Sequence, residues 1–461
     1  MRRLFLITLP LLILHLLNVT PLFSLDSVPQ AEYHQRRVAL ADKLKGGVAL
    51  LYAAEEPLLD FMPYRQDEDF YYLSGWNEPG AAMLVIASAD AMPETPGTGG
   101  LGARAAQPYR EILFLPTRNP RLEKYTGQKL DAATAGVTTT TGFDEVLPMT
   151  ALPEVLNKVA AGDRARLRNI WAESGSTQAS ATLNFLGATL GIDGLAASGD
   201  VASLLVPMRA VKSPAEVELI RKATDASIAA QLAGMRSIKP GVRERTVAGI
   251  EIAKMMEEGC ERPSYAPIVG SGPNATMLHY SDNSRTMQTG DVVVIDEAGE
   301  YSMYASDITR TMPVGGHFTA RQREIYEIVL GAQRAAAAAF VAGKSKINDP
   351  QHKEPESLDQ VAFDYVNAHG KDLHGQPLGQ YMIHGLGHLV GINVHDPWDY
   401  KKPLEKGMVF TIEPGIYLPE EKIGVRIEDV FYVDADGKLV DLVARLPHEA
   451  AEVEAAMRSA K

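Results

Sequence analysis

The sequence predicts an α+β protein. A smaller α/β N-terminal domain precedes a larger C-terminal domain of long helices and interleaved strands. Three observations carry this. From Val38 to about Val206, short apolar runs alternate with helical patterns. Beyond Val206-Pro207 the helices lengthen and open on clear cap chemistry. The apolar strands of this second half end in acids or contain them, although Asp and Glu are depleted from strand interiors. The expected division is a leader at 1–24, an N-terminal domain at 26–205 and a C-terminal domain at 206–461.

Each element has a local reason. Arg2 and Arg3 precede an apolar run from Leu4 to Leu17, and Pro21-Leu22-Phe23-Ser24 follows. That order is a secretory signal peptide, too short for the roughly 20 residues that span a bilayer. Secretion or export to a periplasm is expected, with an uncleaved anchor as the alternative and no stable membrane insertion after cleavage. Strands are expected at Gly47–Tyr52, Ala81–Ala87 and Glu111–Leu115. The Pro/Gly-rich segment Pro93–Pro108 is expected as an exposed loop joining the last two in a hairpin. Its Gly97, Gly99 and Gly102 satisfy GxGxxG, but that fingerprint works only directly after a strand and before a helix. Tyr64–Gly75 (YRQDEDFYYLSG), followed by Trp76-Asn77-Glu78-Pro79-Gly80, reads as a half-buried strand and turn, or as the wall of a site or a subunit contact. Helices are expected over Leu152–Ala160 and Ala179–Leu190.

In the second half, Ser213 with Glu216 forms a capping box, with Pro214 at the first helical position. Lys239-Pro240-Gly241 stops that helix, and a second runs from about Arg243 to Glu258. Thr319 with Gln322 caps a third, to about Val341, and a fourth covers Ser357–His369. Strands are expected at Val292–Ile295, Tyr304–Thr311, Met408–Ile412 and Gly424–Val433.

Composition narrows the function. A net charge of −13 argues against nucleic acid, which needs a basic surface. The single cysteine, Cys260, rules out an intrachain disulfide and a thiolate metal site. No GxSxG stretch supports a serine nucleophile. His448-Glu449 lacks the second histidine of HExxH.

The stretch 384–396 (HGLGHLVGINVHD) holds His384, His388, His395 and Asp396 on a glycine-loosened backbone. Its glycines are expected to let something small approach the chain. Such a cluster needs acids to hold metal. Asp296 ends Val292–Ile295 and is a turn starter or a ligand. Asp307 sits inside a strand-like run, and a bend or bulge must bring it to Asp296 if they share a metal. Glu413 ends the apolar run Met408–Ile412, and Glu428 follows Gly424–Ile427 within an expected strand. Alone each reads as a turn or edge residue; with one histidine the four acids make five candidate ligands. Four carboxylates balance two divalent cations. An oxygen-rich set favours Mn²⁺, with Fe²⁺, Co²⁺ or Zn²⁺ possible. His317, His352, His369, His374 and His448 belong to no such cluster and are expected at the surface.

The strings VVVIDEAGEYSMYASDITRTMPV, HGLGHLVGINVHD, MVFTIEPGIY and GVRIEDV resemble the pita-bread metallopeptidases. YRQDEDFYYLSGWNEPG resembles the N-terminal domain of aminopeptidase P and prolidase. The resemblance runs from about residue 30 to 445. It implies a pita-bread catalytic domain and an Xaa-Pro aminopeptidase, in which a hydroxide held between two metals attacks the scissile carbonyl of a peptide with proline second. It implies Asp296 on one metal, His388 and Glu413 on the other, and Asp307 and Glu428 between them. Catalytic and substrate roles are implied for His279, His384 and His395, with Glu413 catalytic as well. Arg426 is implied beside the bridging glutamate, and Tyr417 as an aromatic at the substrate. Prolidase, which cleaves Xaa-Pro dipeptides, is the alternative; a non-catalytic binding protein fits the intact ligand set poorly. Relatives suggest a homo-oligomer. Two departures stand out: Glu297 directly after Asp296, where a small residue is usual, and the short segment Pro397–Leu404.

Overall fold

The structure, a computed structural model, describes residues 26–56, 63–92, 107–162 and 168–458. The expected signal peptide and the glycines Gly97, Gly99 and Gly102 lie outside them.

The N-terminal part is built on a six-stranded sheet. Its order is Glu145–Pro148, Gln107–Leu115, Ala82–Met92, Val48–Tyr52, Ile170–Ala172, Gly199–Asp200. The central pairs are antiparallel and the outer ones parallel. Alternation sorts the side chains: Val48, Leu50, Leu84 and Phe114 pack with helices Leu152–Gly162 and Thr177–Leu190. Ala49, Leu51, Val85 and Leu113 face the other way, into a core continuous with that of the C-terminal part. Ala82–Met92 and Gln107–Leu115 pair as the expected hairpin.

Residues 64–75 are not a strand. Helix Glu68–Ser74 forms there, with Asp67 accepting from Phe70 N–H at 2.8 Å and Gly75 closing it at φ +63°. The aromatic run suggested a sheet, but the acid cap and acidic first turn favour a helix, and tertiary burial of Phe70 to Leu73 holds it. Val206-Pro207, the expected boundary, lies inside helix Ala202–Ala210, and Val211–Lys212 leads on to the Ser213 cap.

The four long helices stand as Pro214–Ser237, Glu244–Glu257, Ala320–Ala339 and Leu358–His369, and both capping boxes are closed. Two expected strands are interrupted. Tyr304–Ala305 pairs with Gly299–Tyr301, the chain leaves the ladder at 306–308, and Thr309–Pro313 resumes against Val292–Asp296. Likewise Ile423–Arg426 and Asp429–Val433 are separated at 427–428. Glu413 falls between Val409–Ile412 and Gly415–Leu418. Three of the four acids therefore sit where the two-residue alternation of a strand is reset. That reset turns their side chains to a common point.

Candidate metal centre

The breaks bring the acids together. Register places Asp296 opposite Thr309, two residues beyond Asp307. Glu428 joins this edge through its N–H to Thr309 O at 3.1 Å. One carboxylate oxygen each from Asp296, Asp307 and Glu428 lies within 4.8 Å of the others. A second trio is His388, Glu413 and Glu428, and a third is Asp307, His388 and His395. His388 Nε2 is 3.3 Å from Asp307 Oδ2 and 3.4 Å from Glu413 Oε1. Its Nδ1 lies 3.1 Å from Leu389 O, a carbonyl that can only accept, which turns Nε2 toward the acids.

The donor set fits cations. Thr309 Oγ1 donates to Glu428 Oε2 at 2.6 Å, and Arg426 Nη2 to Asp296 Oδ2 at 2.5 Å. Each carboxylate keeps one oxygen, Asp296 Oδ1 and Glu428 Oε1, buried without a partner. Burial first, and then the charge of its neighbours, pushes the carboxyls of Asp307, Glu413 and Glu428 well above the usual range. Arg426 alone cannot offset four acids. Two divalent cations would, and would fill both unpartnered positions.

A cavity of about 480 Å³ opens over this cluster. His279, His384, His388, His395, Arg426 and all four acids line it. His395 lies against His388 with ring centroids 3.9 Å apart and the rings tilted by 39°. Burial, then the nearby cation Arg426, holds the His384 imidazole down at about 4; burial, then His388, holds His395 at about 4. Both are neutral near pH 7.

Some expectations need correction. Tyr417 does not line the cavity: it is buried behind the wall, where its hydroxyl meets His384 Nε2 at 2.8 Å and accepts from Arg426 Nη1 at 2.8 Å. Arg426, expected near Glu428, donates through Nε to Thr309 Oγ1, which donates to Glu428, and also pairs directly with Asp296. The glycines of the loop serve chain packing rather than ligand approach. A Cβ on Gly387 would meet Thr411 O at 2.2 Å, and one on Gly391 would meet Asp396 Oδ2 at 2.5 Å. Glu297 neither disturbs the turn nor faces solvent. It is fully buried, and its N–H donates to Ile308 O at 3.3 Å. Both its carboxylate oxygens lack a partner, as do those of the buried Glu251. His448 is not a free surface residue, for its Nε2 meets Asp429 Oδ2 at 2.9 Å. His352 stacks on Phe363 at 3.9 Å. No residue of Pro397–Leu404 lines the cavity.

Sequence reasoning missed Tyr265, Leu278 and Val394 on the cavity wall. Burial and then Asp296, Asp307 and Glu428 hold the Tyr265 hydroxyl far above the ordinary phenol range. It stands in an irregular loop with no motif around it; only the folded chain brings it to the acids.

Fold and site together define a metallopeptidase. Residues 218–435 match Metallopeptidase family M24, and residues 33–168 match Aminopeptidase P, N-terminal domain. The chain is 33% identical to the Xaa-Pro aminopeptidase of Haemophilus influenzae over 93% of its length and 97% of the relative. It resembles the solved structure of an Escherichia coli aminopeptidase P variant in complex with substrate, with a TM-score of 0.78, 28% identity, and 94% and 99% of the two chains covered. An Xaa-Pro dipeptidase of Pyrococcus furiosus is 37% identical over 51% of this chain and 64% of its own. The chain belongs to the Xaa-Pro aminopeptidases of metallopeptidase family M24, and is a hydrolase acting on peptides. Among the described residues no helix is long and apolar enough to cross a membrane.

Proposed function

We propose that this chain releases the first residue of peptides with proline second, at a centre of two divalent cations. The observation that carries it is the pair of ligand trios sharing Glu428, with Asp296 Oδ1 and Glu428 Oε1 left buried and open. Asp296 would hold one cation, His388 and Glu413 the other, with Asp307 and Glu428 between them. When bound, the cations supply Lewis acidity to the scissile carbonyl and an activated water.

The chain's residues do the rest. Arg426 and Thr309 each occupy one oxygen of a ligand and so aim the other. Neutral His384 has both ring nitrogens engaged, Nδ1 on Gly385 O and Nε2 on the Tyr417 hydroxyl, each at 2.8 Å, so its ring is held in place as a fixed wall for the substrate. His395 and His279 stand at the accessible side of the cavity, where they can orient the peptide. Glu413 is placed to carry a proton toward the leaving amine. Leu278, Val394 and Ile268 offer an apolar wall suited to a proline ring.

Oxygen-rich ligation favours Mn²⁺ over Co²⁺ or Zn²⁺. The Arg2-Arg3 and apolar leader supports export from the cytoplasm. The test is a paired assay of an Xaa-Pro dipeptide against an Xaa-Pro-Yaa peptide, with Mn²⁺, Co²⁺ and Zn²⁺ in turn. Faster cleavage of the longer peptide, greatest with Mn²⁺, is expected. Cleavage confined to the dipeptide would make this a dipeptidase, the reading to which the 37% identity with the Pyrococcus furiosus Xaa-Pro dipeptidase over 51% of this chain lends weight.

A further inference from the structure

The loop bearing His388 and His395 is anchored from outside the cavity. Asp396 directly follows His395 and is 1% exposed. Its Oδ1 accepts from Arg209 Nη2 at 2.6 Å and its Oδ2 from Lys212 Nζ at 2.9 Å. Its N–H donates at 2.8 Å to the carbonyl of Leu389, the residue after His388. Leu389 and Asp396 thus form an antiparallel bridge that closes the loop between the two histidines.

The grip extends into the N-terminal domain. Arg209 Nη1 donates to Asp69 Oδ1 at 2.8 Å, on helix Glu68–Ser74. Arg209 Nη2 also reaches Asn393 Oδ1 at 2.6 Å, and Asn393 Nδ2 donates to Glu68 Oε1 at 3.2 Å. Arg65 Nη2 donates to Ile392 O at 2.8 Å, while its Nε pairs with Glu300 at 2.7 Å. Residues 392, 393 and 396 are therefore all held, directly or through Arg209, by the segment 65–69.

We propose that the N-terminal domain positions His388 and His395 through the buried bridge Asp69–Arg209–Asp396–Lys212. Asp69, Arg209 and Lys212 are then positioning residues for the metal centre, although none lines the cavity. Two cations face two anions, and all four side chains are about nine-tenths buried or more. Apolar residues of similar volume often give equal or greater stability than such a charged set. What the charges add here is direction, because Arg209 binds both domains in one fork. Metal ligands need placement within about 0.5 Å, and the bridge fixes the backbone immediately beside both imidazoles.

The proposal rests on the two-cation reading above, and its test has a readout besides activity. Full-length wild type, Asp69→Asn and Asp69→Glu are stripped of metal and titrated with Mn²⁺ alone by calorimetry. kcat and KM on an Xaa-Pro-Yaa peptide, and Tm, are measured alongside. Asp69→Asn is expected to bind Mn²⁺ about tenfold more weakly and to lose about tenfold in kcat, the scale of losing an outer partner of a metal ligand. Its KM should stay within about twofold, and Asp69→Glu should recover most of both losses. Folded Asp69→Asn with unchanged Mn²⁺ affinity and kcat overturns the proposal. So do losses that follow only the unfolded fraction. Should Asp69→Asn not fold, Glu68→Gln, on the half-exposed contact to Asn393, is expected to move both readouts the same way by about threefold; no movement would overturn the idea. A wild type that binds Mn²⁺ but cleaves neither peptide would refute the proposed function, while the Mn²⁺ titration would still decide the positioning role.

Discussion

Asp307 and Asp396 are both buried acids that touch the same histidine-bearing segment, yet their carboxyls are shifted in opposite directions. Asp396 has its own cations: burial alone would raise its carboxyl, but Lys212 and Arg209 overcome that and hold it below the ordinary range. Asp307 has none of its own. Burial and then Asp296 push it far up, and Arg426 offsets them only in part. The difference teaches what each acid is for. At this segment the acid whose compensating charge is built in, Asp396, holds the loop, and the acid that lacks such a charge, Asp307, faces the cavity with the other candidate ligands.

The largest effect should come from breaking the uncompensated group. Asp307→Ala is expected to abolish metal binding and peptidase activity together, by well over about a hundredfold in kcat/KM. Metal analysis and kinetics on the same preparation check it; full activity in metal-free Asp307→Ala protein would sink the two-cation mechanism. In metal-free protein at about pH 8, Asp307→Asn should be more stable than wild type, because it removes a like charge.

Asp396→Asn should behave oppositely. Leaving Lys212 and Arg209 short of an anion should cost about 3–5 kcal/mol of stability, with or without metal, in denaturant melts. Equal losses in Asp307→Asn and Asp396→Asn would erase the contrast.

The contrast also predicts pH dependence. Asp307, Glu413 and Glu428 hold protons more tightly folded than unfolded. Their contribution is fully present below the unfolded carboxyl value and is lost as pH rises through the folded values. Metal-free protein should therefore lose Tm between about pH 5 and pH 8, and Mn²⁺ at about a hundred times Kd should restore about 2.7 kcal/mol. Asp396, held low, and Asp429, held at about 2 by Arg310 and His448 against its burial, run the other way. Their contribution is full above the unfolded value and is lost as pH falls through the folded one. A chelated protein whose Tm does not change between about pH 5 and pH 8 would contradict the first half.

The smallest expected effect concerns Cys260. Burial and then Glu261 push its thiol to about 12. It should resist thiol reagents in folded protein and react only on unfolding, and chelation should not change this.

Much of the molecule was legible in the chain. The capping boxes at Ser213 and Thr319 and the long helices they start are local chemistry, and they stand where expected. The acids could be picked out because a carboxylate against four apolar residues is locally inconsistent with a strand. Residues 64–75 were misread because their aromatics favour sheet while the Asp67 cap and tertiary burial select a helix. Tyr417 was expected at the substrate from the resemblance alone, and a shared motif does not say on which side of a wall a ring falls.

By itself the sequence determined which side chains could balance two cations and roughly where each strand would end. Only the tertiary structure decided that strands break beside Asp307 and Glu428, since a side chain's direction depends on the residue at which a ladder is left. It also decided that Asp396 would find Arg209 and Lys212, from 184 or more residues away, while Asp296 and Glu428 would keep an oxygen open. Pairing of charges is a matter of distance in space, and no local pattern records it.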